Sequence, residues 1–204
     1  MNRIPFILVA LACFLPTSGY AQWRAQIDVG VAGSTLRGDT ISDTSVIARL
    51  SGGGGLQYTS PTGFIFEPSV QYTVKGAGLD GVIDGIPVRA TSELTYLEIP
   101  LLLGYRWDAS RRVHPKILVG PAFAYQLDAQ ITYQARSGGI EQQDDDDSVQ
   151  GKDMGLMVVL ASEFTVGGET LVTGLRGVLG LTNIRTENPE LYNSTVGLFV
   201  GIIF

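Results

Sequence analysis

Cysteine is nearly missing from these 204 residues: Cys13 is the only one, and His114 is the only histidine. Disulfide frameworks, thiol nucleophiles and cysteine-based metal sites have almost nothing to be built from. Charge is scarce too. Asp, Glu, Lys and Arg make up 17% of the chain, where soluble domains carry roughly 25%. The net charge is −6, and no basic block is available to neutralise phosphates, which argues against nucleic acid as a partner. No apolar run reaches the length of a transmembrane helix. The longest, Ile4–Leu15, has twelve residues, about 18 Å of helix against a hydrocarbon core of roughly 30 Å. What is abundant is glycine, 26 residues without the three-residue period of collagen.

The apolar run follows Met1-Asn2-Arg3 and precedes Pro16 and the small residues Gly19 and Ala21. This is the layout of a secretory signal cut after Ala21. Acylation at Cys13 is the alternative, but Ala10 stands where such sites carry a large aliphatic residue. The expected organisation is a signal peptide at 1–21 and one exported domain at 22–204.

Beyond Trp23 the sequence alternates with a period of two. Ala25, Ile27, Val29 and Val31 share one face, and Arg24, Gln26, Asp28 and Ser34 the other. Between Lys116 and Tyr133, Ile117, Val119, Phe123, Tyr125, Leu127, Ile131 and Tyr133 oppose Lys116, Gln126, Asp128, Gln130 and Thr132. Such runs are strands with one apolar and one polar face. Eight segments are expected, at 23–34, 46–59, 63–76, 92–107, 115–133, 153–166, 170–182 and 195–204. Their connectors alternate between long (35–45, 77–91, 134–152, 183–194) and short (60–62, 108–114, 167–169). Long loops at one end and tight turns at the other are the layout of an outer-membrane barrel. The fold class read from this is all-β, an eight-stranded antiparallel transmembrane β-barrel.

Which face is wet follows from the charges. By parity, Arg24, Asp28, Arg49, Glu67, Lys75, Glu98, Arg106, Lys116, Asp128, Asp153, Glu163 and Arg176 all fall on the polar face. They are balanced in sign, and small residues such as Gly53, Gly55, Gly104, Gly120 and Gly174 share that face. A narrow barrel closes around a few long charged side chains if small residues make room for them. The charges are therefore expected inside, as a structural ion-pair network, with Glu98, Arg106, Glu67 and Arg176 its leading members. A soluble lipocalin-like binder, with the faces inverted, is the weaker alternative. Trp23, Tyr58, Tyr105, Trp107 and Phe164 lie near strand ends on the apolar face, as a membrane–water girdle requires. The chain ends on Phe204, preceded at two-residue steps by Ile202, Val200, Leu198 and Val196. That pattern is similar to the terminal insertion signal of bacterial outer-membrane barrels and implies the barrel-assembly machinery and outer-membrane lipid as partners.

The strand Tyr96-Leu97-Glu98-Ile99-Pro100-Leu101-Leu102-Leu103-Gly104-Tyr105 resembles the signature strand of the PorT-like outer-membrane β-barrel family of Bacteroidetes-type bacteria. Gly180-Leu181-Thr182-Asn183-Ile184 resembles that family's penultimate-strand motif. The resemblance implies an eight-stranded outer-membrane barrel and no particular activity. Pro100 removes a ladder donor, so a local bulge is expected beside it, with Glu98 in the lumen near an arginine partner.

Candidate chemistry is thin. A lone His114 in a turn reads as a solvated surface residue, and no Ser-His-Asp set can be assembled without it. Gly52–Gly55 lacks the Lys-Ser/Thr of a phosphate loop and reads as close strand packing. Glu141 and Asp144–Asp147 offer oxygen ligands, but their spacing is not an EF-hand, and a solvated loop is expected there. No catalytic, metal or cofactor residue is assigned. The expected function is a non-enzymatic outer-membrane barrel acting through its external loops on an unspecified ligand or protein partner, with a small channel as the alternative.

Overall fold

The structure is a computed structural model. It describes residues 22–38, 44–83, 86–108, 112–135, 141–145, 151–184 and 191–204. The expected signal peptide lies outside them, as do Asp146 and Asp147.

The alternating segments form β1(Gln22–Arg37), β3(Ile47–Thr59), β4(Phe64–Ile83), β5(Ile86–Arg106), β6(Val113–Ala135), β8(Lys152–Val166), β9(Glu169–Gly180) and β10(Tyr192–Ile203). Two short strands, β2(Thr44–Ser45) and β7(Glu141–Asp145), are added. Each long strand pairs antiparallel with its two neighbours. β10 returns to β1, and the ladder closes. Closure leaves no unpaired edge in the lipid, the condition for any sheet that crosses a membrane.

The outer face of this wall is apolar. Ile27, Val29 and Val31, then Leu101 and Leu103, Ile117 and Val119, Val158 and Leu160, and Leu198 and Val200 all point outward. Among the described residues no Asp, Glu, Lys or Arg occupies an outward position between the two ends of this band. At the end with the tight turns the aromatics gather. Trp23 lies 5.4 Å from Tyr58 and 6.3 Å from Phe66, and Tyr105 lies 5.2 Å from Trp107, centroid to centroid. The turns themselves need glycine. Gly167 and Gly168 both have positive φ, 62° and 100°, open to glycine without the Cβ clash. Inside, Gly53 faces Gln71 on β4 so closely that a Cβ would sit 2.2 Å from the Val70 carbonyl. The glycine run is a place where two strands approach.

Three expectations are corrected. The connector expected at 77–91 is paired sheet over 77–83 and 86–91: β4 and β5 stay paired from Gly76–Glu93 up to Ile83–Ile86. Nor does Pro100 cause a bulge, since the register runs through it without a step. The bulge is on β6, where Thr95 faces Asp128 while Tyr96 faces Gln126, leaving Leu127 as the extra residue. An extra residue reverses side-chain parity beyond it. Asp128 is therefore exposed and Ala129 buried, and Ile131 and Tyr133 take the inner parity rather than the outer one expected for them.

This reversal lies where the wall changes character. Below it, apolar residues such as Phe123, Tyr125 and Leu127 face out. Above it, Asp128, Gln130, Thr132 and Gln134 share the outer parity, beside Arg89, Thr91 and Glu93 of β5. The inner face turns apolar: Leu36, Ala77, Leu94, Tyr96, Ala124, Ala129, Ile184 and Leu191 form a second buried cluster at the end carrying the longer connections. At that cluster the residues flanking the β9–β10 connection are tied together, with Ile184 N–H donating to the Leu191 carbonyl and Leu191 N–H to Asn183 Oδ1, both at 2.9 Å. In lipid the apolar face must point out, and in water it must point in. The sheet does both, one above the other.

Candidate functional site: the charged lumen

The inner face of the membrane band collects the ionisable groups, because nothing else in lipid can solvate them. They stack in three layers. Nearest the tight turns is Glu163 on β8, whose carboxylate is fully buried. Its Oε2 meets Arg24 Nη2 at 3.1 Å and Arg106 Nη1 at 3.3 Å, and its Oε1 meets Lys116 Nζ at 3.2 Å. Gln57 donates to the same Oε1 at 2.8 Å. Lys116 also reaches Glu67 at 3.3 Å and donates to Gln57 Oε1 at 2.6 Å. One carboxylate thus gathers three cations from three strands, with Gln57 filling the remaining directions.

The middle layer joins Asp28 on β1 to Arg176 on β9 at 3.1 Å. Gln71 bridges them, donating to Asp28 at 3.1 Å and accepting from Arg176 at 3.0 Å. Phe199 covers the guanidinium face, 4.6 Å from its centre. In the third layer Lys75 lies between Glu98 at 2.6 Å and Asp153 at 3.3 Å, with its ammonium 5.0 Å from the Tyr96 ring centroid. Thr182 and Asn193 donate to the two Asp153 oxygens at 2.7 and 3.3 Å.

The lumen is not wholly polar. Met157, Val159, Val172, Val178 and Phe199 fill the β8–β9–β10 side, continuous with Ile65, Leu102 and Leu118. Side chains thus occupy the interior, as expected when only eight strands enclose it. Between the middle and third layers the side chains leave a small cavity of about 30 Å³.

Of the residues named from sequence, Arg24, Asp28, Glu67, Glu98, Arg106, Lys116, Glu163 and Arg176 face this interior. Two do not belong. Asp128 is on the outside, for the parity reason above. Arg49 pairs with Glu93 near the outer end, where its side chain is 41% exposed. The arginine expected beside Glu98 is Lys75 instead, because β4 and β5 are neighbours and Gln71–Glu98 are in register. His114 is not a free surface residue: its Nδ1 lies 3.0 Å from Asp108. Gln57, Gln71 and Asn193 escape a sort by charge, which passes over neutral amides even when they share the polar parity. Glu141–Asp145, expected as part of an open loop, pair with Gln130–Gln134 as β7. Among the described residues no group of three or more His, Cys, Asp or Glu could hold a metal ion.

Because the bulge turns Asp128 outward, Asp128→Ala should change unfolding stability by no more than about 0.5 kcal/mol, as exposed substitutions do. A loss of several kcal/mol in urea titrations of the refolded protein would return Asp128 to the lumen.

A closed antiparallel wall with an uncharged outer band and a salt-bridged interior defines an outer-membrane β-barrel with a sealed lumen. In sequence, a family model described as an outer membrane protein beta-barrel domain matches residues 17–185; the chain belongs to that family. No curated protein matches it. Among solved structures it is similar to Neisserial surface protein A (15% identity, 92% of this chain and 100% of that one, TM-score 0.47). It is also similar to OprG from Pseudomonas aeruginosa (14%, 91% and 98%, TM-score 0.47) and to a major outer membrane protein from Thermus thermophilus (11%, 88% and 99%, TM-score 0.49).

Proposed function

We propose that this barrel is an anchored interaction protein, in which the membrane band is a sealed stem and the strands above the bulge are the working part. The observation that carries this is the height of β4, β5 and β6. A strand needs about 9–11 residues to cross the bilayer, and these three have 20, 21 and 23. From Thr95 to Ile86 the hairpin continues about 30 Å past the bulge level at 3.3 Å per residue. Its outer face is polar, and β2 and β7 widen it at the sides. Loops alone would be a floppy platform; a paired sheet presents side chains at fixed spacing.

The reading has two tests. A photo-reactive residue at Thr91 or Gln134, introduced in intact cells, should give a discrete protein adduct that disappears when the hairpin is shortened by removing 79–90. Adducts only from membrane-band positions, and none from these two, would sink it. Planar-bilayer recordings of the refolded protein should show no steady conductance, and reproducible ion-selective currents would support the channel instead. Affiliation with the PorT-like branch is part of the proposal, supported by the Tyr96–Tyr105 and Gly180–Ile184 motifs. So is export by removal of residues 1–21, which N-terminal sequencing checks by finding Gln22 first. Assembly through the terminal strand is proposed likewise. Phe204 is exposed at the end of that strand, and its N–H donates to the Ala25 carbonyl at 2.8 Å, at the seam that closes the barrel.

A further inference from the structure

The cavity inside the barrel lies between the middle and outer charge layers. Gln71, Thr73, Glu98, Arg176, Thr195 and Phe199 are among the residues lining it. Two of its polar atoms are buried and have no partner: Arg176 Nε and Thr195 Oγ1. The first is well defined in direction. The Arg176 guanidinium is held by Asp28 and Gln71 through its two terminal nitrogens, and Phe199 covers its face, so Nε–H can donate only along the remaining edge. Thr195 is 6% exposed, with a hydroxyl that both donates and accepts. Glu98, bound on one side by Lys75, retains carboxylate lone pairs.

We propose that this cavity is a binding site for ordered water, two or three molecules, that bridges Arg176, Thr195 and Glu98 and joins the Asp28–Arg176 layer to the Lys75–Glu98–Asp153 layer. Size and charge together select the ligand. A volume of about 30 Å³ admits two or three waters, given roughly 10–15 Å³ for each. The lining presents a guanidinium and a carboxylate at once, so an ion of either sign meets a like charge. A neutral molecule that donates to Glu98 and accepts from Arg176 meets neither penalty. Among the described residues no ion pair crosses between these two layers, so the bridging water is what makes the two of them one network rather than separate clusters. The inference rests on the sealed lumen of the proposed function, because an open lumen would exchange its water freely.

The test is water-selective NMR on the isotopically labelled, refolded protein in lipid nanodiscs. Arg176 Hε should show a cross-peak to water with the sign of a long-lived complex. Ala32→Val, which adds two methyl groups at another lining position, should abolish that cross-peak while the amide spectrum keeps its barrel dispersion. If that variant fails to fold, the wild-type cross-peak alone decides. Absence of the cross-peak in a barrel that conducts no ions overturns the water site and leaves the sealed stem intact. A cross-peak with the sign of fast exchange, together with conductance, overturns the sealed lumen first. Saturable shifts of the Arg176 and Thr195 signals on adding sodium or chloride would assign the cavity to an ion and also overturn the proposal.

Discussion

Replacing Glu163 by alanine should destabilise the barrel by about 3–5 kcal/mol, the usual cost of removing one partner from a buried ion pair. The reason is in what remains. Lys116 keeps Glu67 at 3.3 Å, and Arg106 keeps Asp108 at 3.6 Å. Arg24 has Glu163 as its ion-pair partner, at 3.1 Å, and would be left in the lumen with its charge uncompensated. A second change, Arg24→Met, should therefore recover part of the loss although it removes a further polar group. Urea unfolding in lipid vesicles, followed by the heat-modifiable shift on gels, measures both. If Glu163→Ala costs less than about 1 kcal/mol, well under the usual figure for a buried pair, or if Arg24→Met makes it worse, the layer around Glu163 does not hold the barrel together.

The second large effect belongs to the opposite face. Val119 on β6 points outward, is 46% exposed, and lies between Leu103 and Val158 in the ladder. Arginine there would have to place its charge in hydrocarbon, at about 2–4 kcal/mol near the midplane. Three residues along the same strand, Ala122 faces the lumen and is almost fully buried. Arginine at Ala122 would fail for a different reason, by overpacking a filled interior. The two are separable by lipid. Thinner bilayers bring the interface nearer and should relieve Val119→Arg, while leaving Ala122→Arg unchanged. Unaltered folding of Val119→Arg in thick and thin vesicles alike would mean that the faces are reversed.

Period-two alternation and the confinement of charge to one parity are readable from the residues alone, and with them strand number, barrel class and the direction of the faces. Both are local properties: successive side chains on a strand point to opposite sides whatever the strand packs against. The same locality explains the errors. Counting parity through Leu127 puts Asp128 in the lumen, but a bulge is set by how two strands fit, not by one strand's composition. Pro100 carries a strong local signal for a bulge, yet its missing donor leaves the ladder in register. Residues 77–91 read as a connector for their glycines and aspartates, but cross-strand pairing up to Ile83–Ile86 holds 77–83 and 86–91 as sheet.

Chain order and alternation by themselves determined that this protein is a closed sheet with charge within and hydrocarbon without. Which charge meets which was decided only by the tertiary structure. Glu163 and Arg24 are 139 residues apart, and they touch because the strands close into a ring and stagger around it. Partner choice in a lumen depends on register across every intervening ladder, and register is a property of the assembled barrel. The exchange of faces on β6 has the same origin: one extra residue, placed by the fit of β5 to β6, turns its outer face from apolar to polar.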